Sequence, residues 1–221
     1  MSLLFLDANG DIPMSDILSC LRRGEPVGLP SEDGYVIAAD ATNPFAIARL
    51  QELRQDKSAT GYSLFVNDST QLDKYAKNIP INMKRIVDKL WPKSLTISVE
   101  KLNPDWDNGD KGKFPMFYAR SSSSKILRSV ISAYSPLIVS TASVKGWPAL
   151  ESGSVIFDSF DRRIDTVLDV GILSSNHNST VLSEKEGEIE ILREGKITFK
   201  YLKSNFQDLK FLQLASLQTG K

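Results

Sequence analysis

Residues 25–66 constrain the fold more than any other stretch, because short apolar runs alternate there with one helix. The first apolar run ends in a polar turn at 30–34, and a second run follows directly. Asn43 and Pro44 then mark a helix start, since asparagine can cap free amides and proline in the first helical position loses no needed donor. An apolar run at 62–66 comes after the helix. Strands joined by a tight turn and by a helix predict an α/β or α+β sheet.

The remaining chain continues this alternation of strands and helices. Apolar residues at helical spacing predict helices at 14–23, 68–76, 82–90, 125–133 and 155–160. Apolar or alternating runs predict strands at 95–100, 116–119, 136–140, 166–169, 179–182, 188–193 and 196–201, and a short strand or an ordered arm at 3–6. The last two strands are joined by a predicted turn at Glu194 and Gly195, and residues 206–217 fit a terminal helix and a loose tail equally well. The run of strands near the end favours a mixed sheet over a purely parallel one.

Composition excludes several classes of function. The 221 residues are 41% hydrophobic and 24% charged, which is ordinary for a globular protein. Because 27 basic and 27 acidic residues cancel, nucleic-acid binding would need a local basic patch. With one cysteine (Cys20) and one histidine (His177), an internal disulfide and a cysteine- or histidine-rich metal site are excluded. No signal peptide or membrane-length apolar run is present, so we expect a cytoplasmic protein without a membrane partner.

Several common motifs are absent from the sequence. It has no P-loop and no glycine-rich dinucleotide turn after a strand. His177 lies near Ser179 and Thr180, but no third residue is placed to orient the imidazole, so a loop histidine is the better interpretation. The turn-rich segment 102–114 contains three aspartates but lacks a glycine at the sixth position and the closing glutamate of a calcium loop. We interpret it as a solvated flap.

Polar side chains recur where the predicted strands end. They are Ser31, Thr96, Arg120, Ser140, Thr141, Ser143, Ser179, Thr180 and Arg193. Each alone is ordinary capping or surface chemistry. Hydroxyls and arginines gathered at strand ends are also how open sheets hold phosphates and carboxylates. The pattern leaves two interpretations open, a shared anion site and dispersed surface positions.

Seven short segments, taken in order, resemble the YrdC/Sua5/YciO family. They are residues 30–32, 53–56, 91–96, 119–120, 139–143, 178–181 and 191–197. The resemblance covers about 24–197 and depends on the order and spacing of the segments. It implies a twisted sheet of parallel and antiparallel strands, flanked by helices and containing a concave groove. It also implies one domain over 1–201 and a C-terminal extension, helix or loose tail, over 202–221.

The resemblance also implies an activity and a set of ligands. Catalytic relatives make threonylcarbamoyl-AMP from threonine, bicarbonate and ATP, for modification of adenosine 37 in tRNA. ATP with Mg²⁺ would then be a substrate, and no tightly bound cofactor is expected. Other relatives are described as binders of double-stranded RNA. Two functions are therefore open: a nucleotidyltransferase that forms threonylcarbamoyl-AMP, and a non-catalytic homologue that binds nucleotide or RNA through the same groove.

The resemblance assigns residues to two kinds of contact, and it assigns no residue to catalysis or to metal binding. Substrate binding is expected at Ser31, Arg54 and Thr141. Nucleotide or RNA binding is expected at Thr96, Arg120, Ser140, Ser143, Ser179, Thr180 and Arg193.

Three departures from the family pattern argue for reduced or altered activity. Asp56 replaces a cation, Lys93-Ser94 replaces Gly-Pro, and Ala142-Ser143-Val144 lacks the family's asparagine. A carboxylate at position 56 would repel a triphosphate. The sequence leaves the oligomeric state open.

Overall fold

The computed structural model describes residues 2–6, 10–54, 62–106, 114–143, 149–160, 163–174 and 178–213. Within these ranges the strands are β1 (Ser2–Phe5), β2 (Val27–Ser31), β3 (Gly34–Asp40), β4 (Tyr62–Phe65), β5 (Leu95–Glu100), β6 (Met116–Arg120), β7 (Leu137–Thr141), β8 (Thr166–Asp169), β9 (Thr180–Lys185), β10 (Glu188–Arg193) and β11 (Phe211–Gln213). The helices are α1 (Met14–Arg22), α2 (Pro44–Arg54), α3 (Ser69–Leu72), α4 (Ile81–Leu90), α5 (Lys125–Ala133), α6 (Gly153–Ser159) and α7 (Phe199–Asn205).

All of these strands join one sheet in the order β1-β8-β2-β3-β7-β4-β6-β5-β9-β10-β11. The central pairs β2/β3, β3/β7 and β7/β4 are antiparallel, whereas β4/β6 and β5/β9 are parallel. The mixed sheet flanked by helices that the sequence predicts is therefore confirmed. Over the described ranges, each helix is too short or too polar to span a lipid bilayer.

The central strand β3 is buried on both faces. Tyr35 and Ile37 belong to the larger apolar cluster, together with residues of α2 and α4. Val36 and Ala38 belong to a second cluster, together with residues of α1 and α5. Since successive side chains of a strand point to opposite faces, one continuous apolar run supplies both layers.

The predicted helix start at Asn43 and Pro44 is confirmed. The Asn43 side-chain oxygen accepts hydrogen bonds from Phe45 N at 3.0 Å and Ala46 N at 3.4 Å. The serine run after β6 acts in the same way, because Ser124 Oγ accepts from Leu127 N at the start of α5.

The C-terminal part differs from the sequence-based prediction. Residues 199–205 form α7 instead of the predicted strand at 196–201, because Thr198 Oγ1 accepts a hydrogen bond from Tyr201 N and caps the helix. The hairpin is made by β9 and β10 through Glu186 and Gly187, both of which have positive φ. Residues 211–213 are neither helix nor loose tail: β11 pairs in parallel with β10. The domain boundary at residue 201 stays a prediction.

Asp169, at the end of β8, ties three elements together. Its carboxylate accepts hydrogen bonds from Tyr35 Oη at 3.0 Å, Gly171 N at 2.8 Å and Ser154 N at 2.9 Å. Burial by itself would raise the pKa of Asp169, but these donors outweigh it and the pKa lies below its usual value. Gly153 allows the close approach, since a Cβ there would lie 2.6 Å from the Cβ of Asp169.

We expect Asp169→Asn to lower the free energy of unfolding by about 2 kcal/mol at neutral pH, because an amide replaces a charged acceptor of three donors. A lowered folded pKa stabilises the protein above the ordinary pKa, and this contribution is lost as pH falls through the folded pKa. The difference from wild type should therefore shrink below about pH 4. Urea unfolding at several pH values measures it. Asp158→Asn, on the exposed side of α6, is the control; equal losses in both variants would contradict the assignment.

Candidate functional site

A groove of about 490 Å³ crosses the central strands of the sheet. Seven of the ten predicted site residues line it, namely Ser31, Thr96, Arg120, Ser140, Thr141, Ser179 and Arg193. The strand register explains why they meet: Thr96 of β5 lies opposite Arg120 of β6, and Ser140 of β7 lies opposite Tyr62 of β4. Polar residues that are far apart in the sequence thus share one wall.

Three predicted site residues do not line the groove. Thr180 is fully buried, and its hydroxyl bonds the 195–197 loop by accepting from Gly195 N and Ile197 N and donating to Ile197 O. The Arg54 guanidinium lies 5.3 Å from the ring centre of Tyr62, whose ring does line the groove. Ser143 lies outside the groove wall. The binding roles of all ten residues stay predictions.

One end of the groove carries a guanidinium beside neutral hydroxyls. Arg193 donates from Nε to Ser179 O at 3.0 Å and from Nη2 to Ser179 Oγ at 3.1 Å. The Ser179 hydroxyl lies 2.8 Å from Thr96 Oγ1. Among the described residues no carboxylate pairs with Arg193. A cation with hydroxyl neighbours is suited to bind a phosphate or carboxylate group.

Desolvation and repulsion from Arg120 lower the pKa of Arg193, although much of the residue is solvent-exposed. A guanidinium still keeps its proton at neutral pH. The lowered pKa therefore indicates a charge that an incoming anion would stabilise.

The second guanidinium, that of Arg120, is already paired with carboxylates. Its Nη2 lies 2.5 Å from Glu32 Oε1 and its Nη1 lies 2.8 Å from Asp33 Oδ2. Its Cζ also lies 5.1 Å from the ring centre of Phe65. Lys196 Nζ approaches Asp33 Oδ1 at 3.3 Å. The positive charge of Arg120, unlike that of Arg193, is therefore balanced by ion pairs with described carboxylates.

Sequence reasoning did not assign Asp33 and Lys196 to the site. Glu32 and Asp33 lie at the tip of the β2/β3 hairpin, between the paired residues Ser31 and Gly34. Their position directly after Ser31, a predicted site residue, was the available signal. The Ser31 hydroxyl itself shapes this tip by donating to Gly34 O and accepting from Asp33 N.

The departures noted in the sequence have different outcomes in the structure. Ser94 contacts the site directly, because its hydroxyl donates to the Asp33 carboxylate at 3.0 Å. Ala142 is buried in the larger cluster. Asp56, Val144, His177 and residues 107–113 of the expected flap lie outside the described residues. Within the described ranges, no group of three or more histidine, cysteine and acidic side chains could hold a metal ion.

Comparison with known proteins identifies the family. The Sua5/YciO/YrdC family model, whose description is telomere recombination, matches residues 19–195. The chain belongs to this family. Threonylcarbamoyl-AMP synthase of Coxiella burnetii is 26% identical over 180 residues, which are 80% of this chain and 95% of the relative.

Solved structures of Sua5/YciO/YrdC proteins share the fold. The H234A/Y235A form of P. abyssi Sua5 gives a TM-score of 0.85 at 20% identity and covers 96% of this chain. P. abyssi Sua5 complexed with L-threonine gives 0.82 at 20% identity, also over 96%. The chain spans only 62% and 63% of those two proteins.

Gly195 allows the closest backbone approach beside the groove. A Cβ there would lie 2.1 Å from Asn178 O and 2.7 Å from Thr180 N. We expect Gly195→Ala to displace the chain that carries Ser179 and to destabilise the fold by about 3 kcal/mol, the upper range for overpacking. Thermal unfolding measures the loss.

Gly187→Ala is the control for this prediction. Gly187 has φ +84° but open space around its Cβ position, so the cost should be backbone strain of about 1 kcal/mol. A smaller loss for Gly195→Ala than for Gly187→Ala would show that the loop moves freely.

Proposed function

We propose that the groove binds an adenine nucleotide beside threonine and forms threonylcarbamoyl-AMP. The observation that carries the proposal is the Arg193 guanidinium, bonded to neutral Ser179 and facing a groove lined with hydroxyls. The relative in Coxiella burnetii is named threonylcarbamoyl-AMP synthase, and P. abyssi Sua5 was solved with L-threonine. Both facts support this assignment of the groove.

The groove divides into two ends under this proposal. Arg193, Thr96 and Ser179 form the end that contacts phosphate. Ser31 and Thr141 line the other part, where the small substrate would bind, and Arg54 supports it by stacking on Tyr62. Threonine carries a carboxylate and a hydroxyl, so it suits a wall that offers hydroxyl and backbone partners.

The reaction would proceed in two bond-forming steps. The threonine amine attacks bicarbonate, and loss of water leaves the N-carboxylate (a carbamate). A carbamate oxygen then attacks the α-phosphorus of ATP, and the bond to the bridging oxygen breaks with its electron pair leaving on pyrophosphate. The protein contributes positioning and charge neutralisation without a protein nucleophile. Mg²⁺ would enter with ATP and balance the charge of the β- and γ-phosphates.

The Arg120 ion pairs favour a second candidate function. Because Glu32 and Asp33 occupy this guanidinium, less positive charge is available than a triphosphate prefers. A groove of this kind suits a non-catalytic protein that binds a nucleotide through one phosphate, whereas binding of double-stranded RNA would need a basic patch elsewhere on the surface. The product of the catalytic candidate would instead serve the modification of adenosine 37 in tRNA.

We expect purified protein to release pyrophosphate from ATP and Mg²⁺ only when threonine and bicarbonate are both present. Mass spectrometry should detect threonylcarbamoyl-AMP. Arg193→Gln should lower kcat/KM for ATP by about 10- to 100-fold, because a charge-assisted hydrogen bond to phosphate is lost. Arg128→Gln removes an exposed guanidinium on α5 and is the matched control.

The other outcomes separate the two candidates. Nucleotide binding without pyrophosphate release would support the non-catalytic candidate. Absence of both nucleotide and RNA binding at low salt would contradict both functions.

A further inference from the structure

Asp33 holds two cations at the edge of the groove. One carboxylate oxygen lies 2.8 Å from Arg120 Nη1, and the other lies 3.3 Å from Lys196 Nζ. Ser94 Oγ donates to the same carboxylate. The Asp33 side chain is only 16% exposed, so these contacts are shielded from solvent more than a surface ion pair. Asp33 is thus the common partner of Arg120, which lines the groove, and of Lys196, which lines a second pocket together with Glu32 and Ser94.

Glu32 completes the neutralisation of Arg120. Glu32 Oε1 accepts a hydrogen bond from Nη2 of the guanidinium, and Ser122 Oγ donates to the other carboxylate oxygen. The Arg120 side chain is 9% exposed and is also stacked on Phe65. Both outer nitrogens of the guanidinium therefore point at protein carboxylates. An anion that enters the groove therefore meets a guanidinium whose charge two carboxylates already balance.

Arg193 is the other guanidinium that lines the groove, and its hydrogen bonds differ from those of Arg120. Arg193 is bonded to Ser179, and no described carboxylate pairs with it. Arg193, Arg120 and Lys196 carry three positive charges, against two negative charges on Glu32 and Asp33. The net charge of these five side chains is therefore +1, which suits one phosphate or carboxylate group better than a chain of phosphates.

We propose that Asp33 determines the specificity of the groove by withholding Arg120 and Lys196 from the ligand, so that the groove prefers a single anionic group over a polyphosphate. Asp33 lines the same groove as Arg193, so its carboxylate would repel a second phosphate next to the one bound at Arg193. Repulsion between two like charges a few ångströms apart is strong when solvent is partly excluded. This inference rests on the proposed use of the groove for a nucleotide and adds a preference about charge. Under that function, pyrophosphate would be held weakly once it forms.

Binding of two simple anions tests the proposal without any catalysis. Isothermal titration calorimetry should show that the wild-type protein binds orthophosphate at least as tightly as pyrophosphate. Asp33→Asn should strengthen pyrophosphate binding by about tenfold or more and orthophosphate binding much less, because two cations become available near the second phosphate. Asp33→Glu should restore the wild-type preference.

Glu194→Gln is the charge-matched control. It removes one negative charge beside Arg193 in the sequence, and among the described residues Glu194 makes no ion pair with Arg120 or Lys196. If Asp33→Asn fails to fold, Asp33→Ser and the wild-type preference alone provide the test. Equal effects of Asp33→Asn and Glu194→Gln would overturn the proposal, since overall charge would then explain the change. A strong wild-type preference for pyrophosphate, or no pyrophosphate binding by either protein, would also overturn it.

These measurements separate this inference from the proposed function. A wild-type protein that forms threonylcarbamoyl-AMP while Asp33→Asn leaves both anion affinities unchanged would support the function and refute the role of Asp33. A protein without activity in which Asp33→Asn gains pyrophosphate affinity would do the reverse.

Discussion

Burial of β3 on both faces is the constraint on which the rest of the structure depends. All seven residues from Gly34 to Asp40 are buried, and the strand pairs with β2 on one side and β7 on the other. Apolar side chains of alternating direction hold two helical layers against it. A strand fixed in this way gives its hairpin a defined tip. The position of the tip also fixes one side of the groove, since Glu32 and Asp33 at the tip form ion pairs with Arg120.

The two guanidiniums of the groove show how the surroundings of a charge decide its use. Arg120 forms ion pairs with two carboxylates and stacks on an aromatic ring, whereas Arg193 is hydrogen-bonded to the neutral Ser179. Both lie at strand ends and have the same side chain, so chemistry alone does not distinguish them. In a partly solvent-excluded site, the nearest opposite charge decides which cation is available to a ligand.

Local patterns predicted the parts of this protein that local chemistry controls. Apolar periodicity identified most strands and helices, and Asn43-Pro44 identified the start of α2. Seven of the ten residues singled out in the sequence line one groove, because neighbouring strands place their ends together, and their binding roles stay predictions. The strand predicted at 196–201 was wrong, because the capping hydroxyl of Thr198 favours a helix there despite a composition typical of strands. The ion pairs of Asp33 could not be predicted, since they depend on side-chain directions across segments that are 87 and 163 positions away, from Asp33 to Arg120 and Lys196.

Because β10 pairs with a strand on each side, the backbone that carries Arg193 is protected from local unfolding. Ile189 and Ile191 lie between β9 and β11, and Ile189 N donates to Lys210 O. Amides enclosed by two strands open to solvent only through cooperative unfolding of that part of the sheet. Slow hydrogen exchange at Ile189 and Ile191 would mean that Arg193, at the end of the same strand, belongs to one of the last regions to unfold locally. The three residues of β11, which do not line the groove, would then help to hold Arg193 in place.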